Sequence, residues 1–365
     1  MIPIYKPYLP KKTLVYAHDA IDSTWISSQG KYIEEATEKL KSILNVKYVQ
    51  LLNNGTSATH MAVKALLYKN PNIKKVIVPN NVYVAAWNAF LYEGIKLIPI
   101  DSSLDTWNID INKLPDALDQ DTAICLVNNL GNTIDTPYLV EKYGKNFIIE
   151  DNCEGFMGSH GSLKSGTASL ASSLSFFGNK NITSGEGGAL ITDDIEIYNF
   201  INSSQGQGQK KEERYVHDKL GYNYRMTNIQ AAILLGQMEV LPEIIEKKNK
   251  IFDTYREKFG NMPKIKIQKI KKNTKHSNWM MGIRIVGNKN YKKIHDFLLN
   301  CEIDTRPMFF PMSKHKHLKL YANLKEEKVS SLLSKECVLI PSFPELKDLE
   351  INKIINAVYK YTKNI

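Results

Sequence analysis

One lysine stands in a run of small residues and glycines, Ser175-Phe176-Phe177-Gly178-Asn179-Lys180-Asn181-Ile182-Thr183-Ser184-Gly185-Glu186-Gly187-Gly188. With few charges beside it, such an amine loses hydration, and burial would lower its pKa and make it a nucleophile toward an aldehyde. Upstream, Glu150-Asp151 closes the apolar run NFIIEDN. If that run is a strand of a parallel sheet, its carboxyl end is where ligands bind, and an aspartate there can pair with a protonated ring nitrogen. Further upstream, Asn53-Asn54-Gly55-Thr56-Ser57 joins an apolar run to a helical one. Gly55 permits a tight turn, and Thr56 and Ser57 can offer hydroxyls and backbone N–H groups at a helix N-terminus, which is a phosphate cradle. Each stretch has an ordinary reading as well: an exposed loop lysine, a solvated strand-end aspartate, a plain N-cap. Taken together they make a phosphate anchor, a pyridinium partner and an imine-forming lysine, the minimal kit for pyridoxal phosphate.

The elements that must position these residues alternate from about residue 34. YIEEATEKLKSIL (32–44) is amphipathic, VKYVQLLN (46–53) is a short apolar strand, and SATHMAVKALLY (57–68) returns to helical spacing. KKVIVP (74–79) is a strand, and VAAWNAFLYEG (84–94) is a helix that stops on Gly94. IKLIPID, TAICLVNN and NFIIEDN follow as strands, then SSLSFF (172–177) and GGALITDD (187–194) pair like a hairpin around the lysine loop. Short apolar strands alternating with helices predict an α/β fold with a large, mostly parallel sheet covered on both faces. A long helix begins near 228 and is kinked or divided at Pro242. Beyond it, IKIQKI, NWMMGIRIV, NYKKIHDFLLN, VLIPS and DLEINKIINAVYKYTK predict a smaller C-terminal α/β domain. The expected division is 1–245 and 246–365.

The chain has 365 residues, 43% hydrophobic and 24% charged, proportions of an ordinary globular protein long enough for two domains. No run of about 18 apolar residues occurs, and the N-terminus MIPIYKPYLPKK lacks an apolar signal region. Four scattered cysteines without a CxxC suit reduced thiols, so a cytoplasmic protein with no membrane partner is expected. The net charge of +10 comes from lysine, with only Arg214, Arg225, Arg256, Arg284 and Arg306 as arginines. That supports attraction for phosphorylated ligands but not a nucleic-acid stripe. The basic run KIKIQKIKKNTKH (264–276) reads as a solvated strand face. His315-x-His317 lacks helical spacing and nearby carboxylates, so no metal site is expected, and His60 and His160 read as structural or substrate-facing.

The ordered set NNGTSATH, VPNNVYVAAWNAF, IIEDNCEG, SFFGNKNITSGEGGALIT, LGYNYRMTNIQAA and TRPMFFP resembles the DegT/DnrJ/EryC1/StrS sugar aminotransferases. The likeness runs from WISSQGKYI (25–33) to IPSFP (340–344). It implies an aspartate-aminotransferase-like fold (PLP fold type I), pyridoxal phosphate, and a homodimer with shared active sites. Position by position, it makes Lys180 the Schiff-base lysine and Asp151 the pyridinium partner. Glu154 falls near the cofactor's ring oxygen, and Thr56, Ser57 and Ser175 fall on the phosphate beside Gly55. Tyr83 falls on the cofactor face, where a buried core tyrosine is its other reading. Asn223 and Arg225 match the segment reaching the partner's phosphate and substrate. Trp25, Ser27, Lys31, Tyr32, Arg225, Arg306 and Phe309 become substrate-binding candidates. Two features depart from the family pattern: Ser169-Leu170 stands where a Gly-Asp pair is common, and Asn152-Cys153 replaces a smaller pair. Asn152-Cys153 also occurs in the related sugar 3-dehydratases, which carry histidine at the position of Lys180.

The implied reaction is transamination of a nucleotide-linked 4-keto-6-deoxyhexose with L-glutamate, giving a perosamine- or viosamine-type 4-amino sugar. A PLP-dependent dehydratase and a non-catalytic regulator on the same fold are the alternatives, and Lys180 argues against both. Nothing in the residues chooses GDP over UDP or dTDP, or one epimer over another.

Overall fold

Apolar runs of four to six residues become seven strands of one sheet in the computed structural model, which describes residues 1–210 and 212–363. Their spatial order is Tyr48–Leu52, Gly188–Thr192, Ala171–Ser175, Ile148–Asp151, Thr122–Val127, Lys75–Pro79, Lys96–Ile100. Gly188–Thr192 alone runs against the rest, pairing antiparallel with both neighbours, while the remaining pairs are parallel. Alternate residues therefore enter different cores. Val76, Val78, Ala123, Cys125 and Val127 pack on one face with Met61, Leu66, Trp87 and Phe90. Ile77, Ile124, Leu126 and Ile148 pack on the other with Leu139 and Tyr143. Burial on both faces is why the central strand Thr122–Val127 is apolar from its second residue to its last.

Helix Gly55–Lys69 lies over the Ala171–Ser175 and Gly188–Thr192 strands and is buried from Ser57 to Val63 without a break, because helices Ala85–Leu91 and Ile195–Gln205 cover its outer side. On the opposite face, Lys31–Leu44, Lys11–Asp22 and Asn228–Glu239 pack together. Gly236 makes that approach possible, since a Cβ there would lie 2.5 Å from the Thr13 backbone. Asn228–Glu239 opens on a Thr227–Gln230 capping box. The chain then breaks at Val240 and restarts as Leu241–Gly260 with Pro242 in its first turn.

A second sheet, Ile265–Lys266, Met281–Ile285, Cys337–Ile340, Arg306–Pro307, is antiparallel throughout. Helices Leu241–Gly260, Tyr291–Asn300 and Asp348–Lys363 cover it. Ile2 joins this core and bridges to Ile303. The basic stretch read as one strand face forms ladder only at Ile265–Lys266 and Thr274–Lys275. Between them the chain turns to the large sheet instead: Lys269 N–H donates to Asp105 O (2.8 Å), and the Gln268 amide donates to Thr106 O and Asn129 O (3.0 Å each). All four cysteines are free thiols. Among the described residues no helix is long and apolar enough to cross a membrane.

Candidate active site

Six strands of the large sheet point the same way, so their carboxyl ends share one edge, and three of the turns leaving that edge carry the residues singled out by sequence. Strand Tyr48–Leu52 ends in Asn53-Asn54, where Asn54 is the N-cap and its side-chain oxygen accepts the Ser57 N–H (2.8 Å). Gly55 opens the helix against Ser175: a Cβ added there would meet Ser175 Cβ at 2.7 Å and Cys153 Sγ at 3.2 Å. Gly55, Thr56, Ser57 and Ser175 thus crowd one corner, with Ser57 and Ser175 buried.

Strand Ile148–Asp151 brings Asp151 to the same corner, buried between Thr122–Val127 and Ala171–Ser175. Its Oδ1 accepts the Cys153 N–H (3.1 Å) and the Ser173 hydroxyl (3.4 Å). Those bonds fix the carboxylate while Oδ2 accepts no hydrogen bond from the described residues. Glu154, one turn on, takes the Leu130 N–H on Oε2 (2.7 Å). Burial pushes its pKa up to about 7, against the opposing pull of the Lys180 charge and the Leu130 N–H.

Lys180 sits in the loop between the paired strands Ala171–Ser175 and Gly188–Thr192. Phe176 anchors that loop, donating to Gly187 O (2.8 Å) and accepting from Ser184 N–H (2.9 Å). The Lys180 ammonium is half-buried and lies 3.9 Å from the centroid of the Trp279 ring. Trp279 Nε1–H donates to Asn179 O (2.9 Å), and the Tyr5 hydroxyl donates to Lys180 O (2.7 Å). Tyr5 and Trp279 are neighbours of Lys180 that sequence reasoning missed. Tyr5 lies in an irregular N-terminal stretch, and Trp279 reads as one more apolar residue of a strand.

Segment 221–225 crosses the end of the first strand: Leu52 bridges to Arg225, and Asn53 N–H donates to Tyr224 O (2.8 Å). Asn223 is exposed there, and Arg225 Nε donates to Ser28 Oγ (3.2 Å). Arg225 lines a cleft of about 470 Å³ with Ser28, Gln29, Asn202, Gln207 and Lys210. A neighbouring cleft of about 450 Å³ is lined by Asp19, Trp25, Lys31 and Asn228. Trp25 is 56% exposed, Ser27 gives its carbonyl to the Asn228 N–H (2.5 Å), and Lys31 pairs with Asp19 (2.8 Å). Tyr32 is 3% exposed in the helix core, and its hydroxyl donates to Asp19 (2.7 Å). Tyr83 is 60% exposed, so it is not a core tyrosine, and its ring meets Phe309 edge-on at 6.1 Å. Arg306 is exposed and paired with Asp304 (2.9 Å).

The structure therefore gathers Gly55, Thr56, Ser57, Asp151, Glu154, Ser175 and Lys180 at one edge, and places Trp25, Lys31 and Arg225 on two adjoining clefts. His60 pairs with Glu93 (2.7 Å) and meets the Tyr224 hydroxyl (3.2 Å) beneath segment 221–225, and His160 pairs with Asp135 (3.2 Å). His317 pairs with Asn88 (2.9 Å). No group of three or more metal-ligating side chains occurs among the described residues.

The model of the DegT/DnrJ/EryC1/StrS aminotransferase family matches residues 7–359. A GDP-perosamine synthase of Escherichia coli O157:H7 is 34% identical over 364 residues, 99% of this chain and 98% of that protein. Two solved structures share the fold at lower identity. PseC of Helicobacter pylori, an aminotransferase involved in the biosynthesis of pseudoaminic acid, has a TM-score of 0.89 at 23% identity over 100% of both chains. An E. coli GDP-4-keto-6-deoxy-D-mannose-3-dehydratase with bound hydrated PLP has a TM-score of 0.90 at 22% identity, covering 98% of this chain and 99% of that one.

Proposed function

The chain belongs to the DegT/DnrJ/EryC1/StrS aminotransferase family, and we propose that it is a pyridoxal-phosphate-dependent aminotransferase of nucleotide-linked 4-keto-6-deoxyhexoses, with L-glutamate as donor. The product is a 4-amino-4,6-dideoxyhexose nucleotide of the perosamine or viosamine type. The full-length likeness to a GDP-perosamine synthase makes a GDP-linked sugar the first substrate to try.

The residues fit the cofactor. A phosphate suits the corner made by the Gly55-Thr56-Ser57 helix start and Ser175, where Gly55 leaves the room a Cβ would fill. Asp151, pinned through Oδ1 alone, has a second oxygen to hold a ring N–H. Lys180 offers the only lysine amine in the loop at that edge. When bound, pyridoxal phosphate supplies an aldehyde to carry the amino group and an electron-accepting ring.

The chain's own groups then have separable tasks. Asp151 holds the ring nitrogen protonated, and its burial keeps water from competing for that charge. Lys180, once its amine is free, moves the proton at the reacting carbon as general base and then acid. Glu154 holds the ring oxygen and carries a proton itself up to about pH 7. Trp279 keeps one face of the lysine dry. Tyr83, Phe309 and Arg306 are proposed to meet the sugar nucleotide, with Trp25, Ser27, Lys31 and Arg225 around the two clefts. Lys210 and Arg225 give the larger cleft cationic groups suited to a diphosphate. Asn223 and Arg225 are proposed to complete the site of a second copy in a homodimer.

The single observation that carries the reading is the convergence of Lys180 and Asp151 on one sheet edge beside the Gly55–Ser57 turn, with lysine where the dehydratases have histidine. The test is incubation with L-glutamate and a panel of GDP-, UDP- and dTDP-linked 4-keto-6-deoxyhexoses. A 4-amino sugar from at least one nucleotide supports it. A 3-deoxy-4-keto product that carries no nitrogen, with glutamate consumed as the reductant and its nitrogen released as ammonia, favours the dehydratase reading instead.

A further inference from the structure

Helix Leu241–Gly260 buries Leu241, Ile244, Ile251, Phe252, Tyr255 and Phe259, and the same stripe contains Lys248, which is 0% exposed. A lysine at an apolar position is costly unless its donors are satisfied, and no carboxylate bonds it among the described residues. Its ammonium instead donates to two backbone carbonyls, Trp279 O (2.7 Å) and Ser342 O (2.6 Å). It also lies 5.2 Å from the Phe252 ring and 5.7 Å from the Tyr5 ring. Both Trp279 and Tyr5 go on to hold Lys180: the indole covers its ammonium at 3.9 Å and bonds Asn179 O, and the Tyr5 hydroxyl bonds Lys180 O.

We propose that Lys248 is a positioning residue of the reaction, acting through Trp279 and Tyr5 to set the place of the Lys180 amine. The proposal rests on reading Lys180 as the cofactor-bearing lysine. Two arms reach from one buried cation to the two residues that hold Lys180, so moving it displaces the indole and the loop carbonyl together. It ties Trp279, at the start of Met281–Ile285, to the chain leaving Cys337–Ile340, and so registers the small sheet against the lysine loop. A neutral aliphatic side chain there would leave two buried carbonyls without donors. Burial pushes Lys248 down to about 7, so it is partly protonated at neutral pH, and His276 faces it. Around Lys180 the facing groups are Asp151, Cys153, Glu154 and Tyr5.

The test is the full chain loaded with pyridoxal phosphate, as wild type and Lys248→Met, followed by visible absorbance against pH and by steady-state kinetics. The midpoint of the absorbance titration should move by about half a pH unit or more in the variant, because a displaced Lys180 meets Asp151, Cys153 and Glu154 at different distances. kcat should fall about tenfold while KM for the nucleotide sugar stays within about twofold. A loaded variant with wild-type midpoint and kcat overturns the proposal. If Lys248→Met does not fold, Trp279→Phe decides: it keeps an aromatic ring but deletes the N–H to Asn179 O. A shifted midpoint there supports the route through Trp279, and an unchanged one overturns it. A wild type that never gains the visible absorbance overturns the cofactor reading and this proposal with it.

Discussion

Replacing Asp151 by asparagine would leave the Cys153 N–H and Ser173 contacts possible but remove the negative charge at the strand end. A charge-assisted hydrogen bond is roughly twice as strong as a neutral one, so the ring nitrogen would lose its proton near neutral pH. Single-turnover conversion of the loaded enzyme by glutamate should slow about a hundredfold in Asp151→Asn at matched cofactor occupancy. A near-wild-type rate would mean that another residue holds the ring. Glu154 makes a different prediction. Its carboxyl is raised from 4.5 to about 7, so the cost of burying its charge grows as pH rises from 4.5 and is complete above about 7. Glu154→Gln, which carries no charge, should therefore gain stability over wild type at pH 8 relative to pH 5, by up to about 3 kcal/mol in urea melts of the cofactor-free protein. An equal difference at both pH values contradicts a buried, proton-bearing Glu154. At this scale the meeting of Lys180 and Asp151 was legible because one is a single lysine in a glycine-rich loop and the other ends an apolar strand. Trp279, Tyr5 and Lys248 were not. The indole is 100 residues from Asn179 and the phenol 175 from Lys180, and only the folded chain joins them.

Turns, rather than strands, decide whether the site can form. Gly55 is the first residue of its helix, and its missing side chain is what lets Ser175 and Cys153 close the corner. Gly55→Ala should cost about 1–3 kcal/mol of stability, since a Cβ 2.7 Å from Ser175 must push the turn away. Cofactor affinity should fall with it, and a fluorescence titration with pyridoxal phosphate checks this: wild-type affinity would remove the corner from the site. Strand and helix existence was readable from periodicity, including the pair flanking the lysine loop and the break near Pro242. The 264–276 run was not readable in full. Its alternation of lysine and isoleucine matches a strand, yet Gln268 and Lys269 spend their hydrogen bonds on Asp105, Thr106 and Asn129 instead of a ladder.

In the whole molecule the order of strands was beyond the sequence. Nothing local says that Tyr48–Leu52 must pair with Gly188–Thr192, nor that Ile2 belongs in the core of the small sheet. We propose that the chain divides near residue 245, although helix Leu241–Gly260 runs unbroken through that point. The proposed shared-site homodimer has a sharper consequence. Arg225→Ala and Lys180→Ala should each be inactive, but mixed and allowed to exchange subunits they form hybrids with one intact site. About a quarter of wild-type activity should return at equal amounts, from half the dimers carrying one working site of two. If exchange is verified and no activity returns, Arg225 serves its own subunit.

Transfer of nitrogen from donor to sugar, with Lys180 required, is the reaction proposed for this chain. The direct measurement supplies ¹⁵N-glutamate and a GDP-linked 4-keto-6-deoxyhexose to the loaded enzyme and follows the label by mass spectrometry. The label should appear on the sugar, in a 4-amino product, with wild type and not with Lys180→Ala. Sugar consumed without gaining the label, or labelling unchanged in Lys180→Ala, would contradict the assignment.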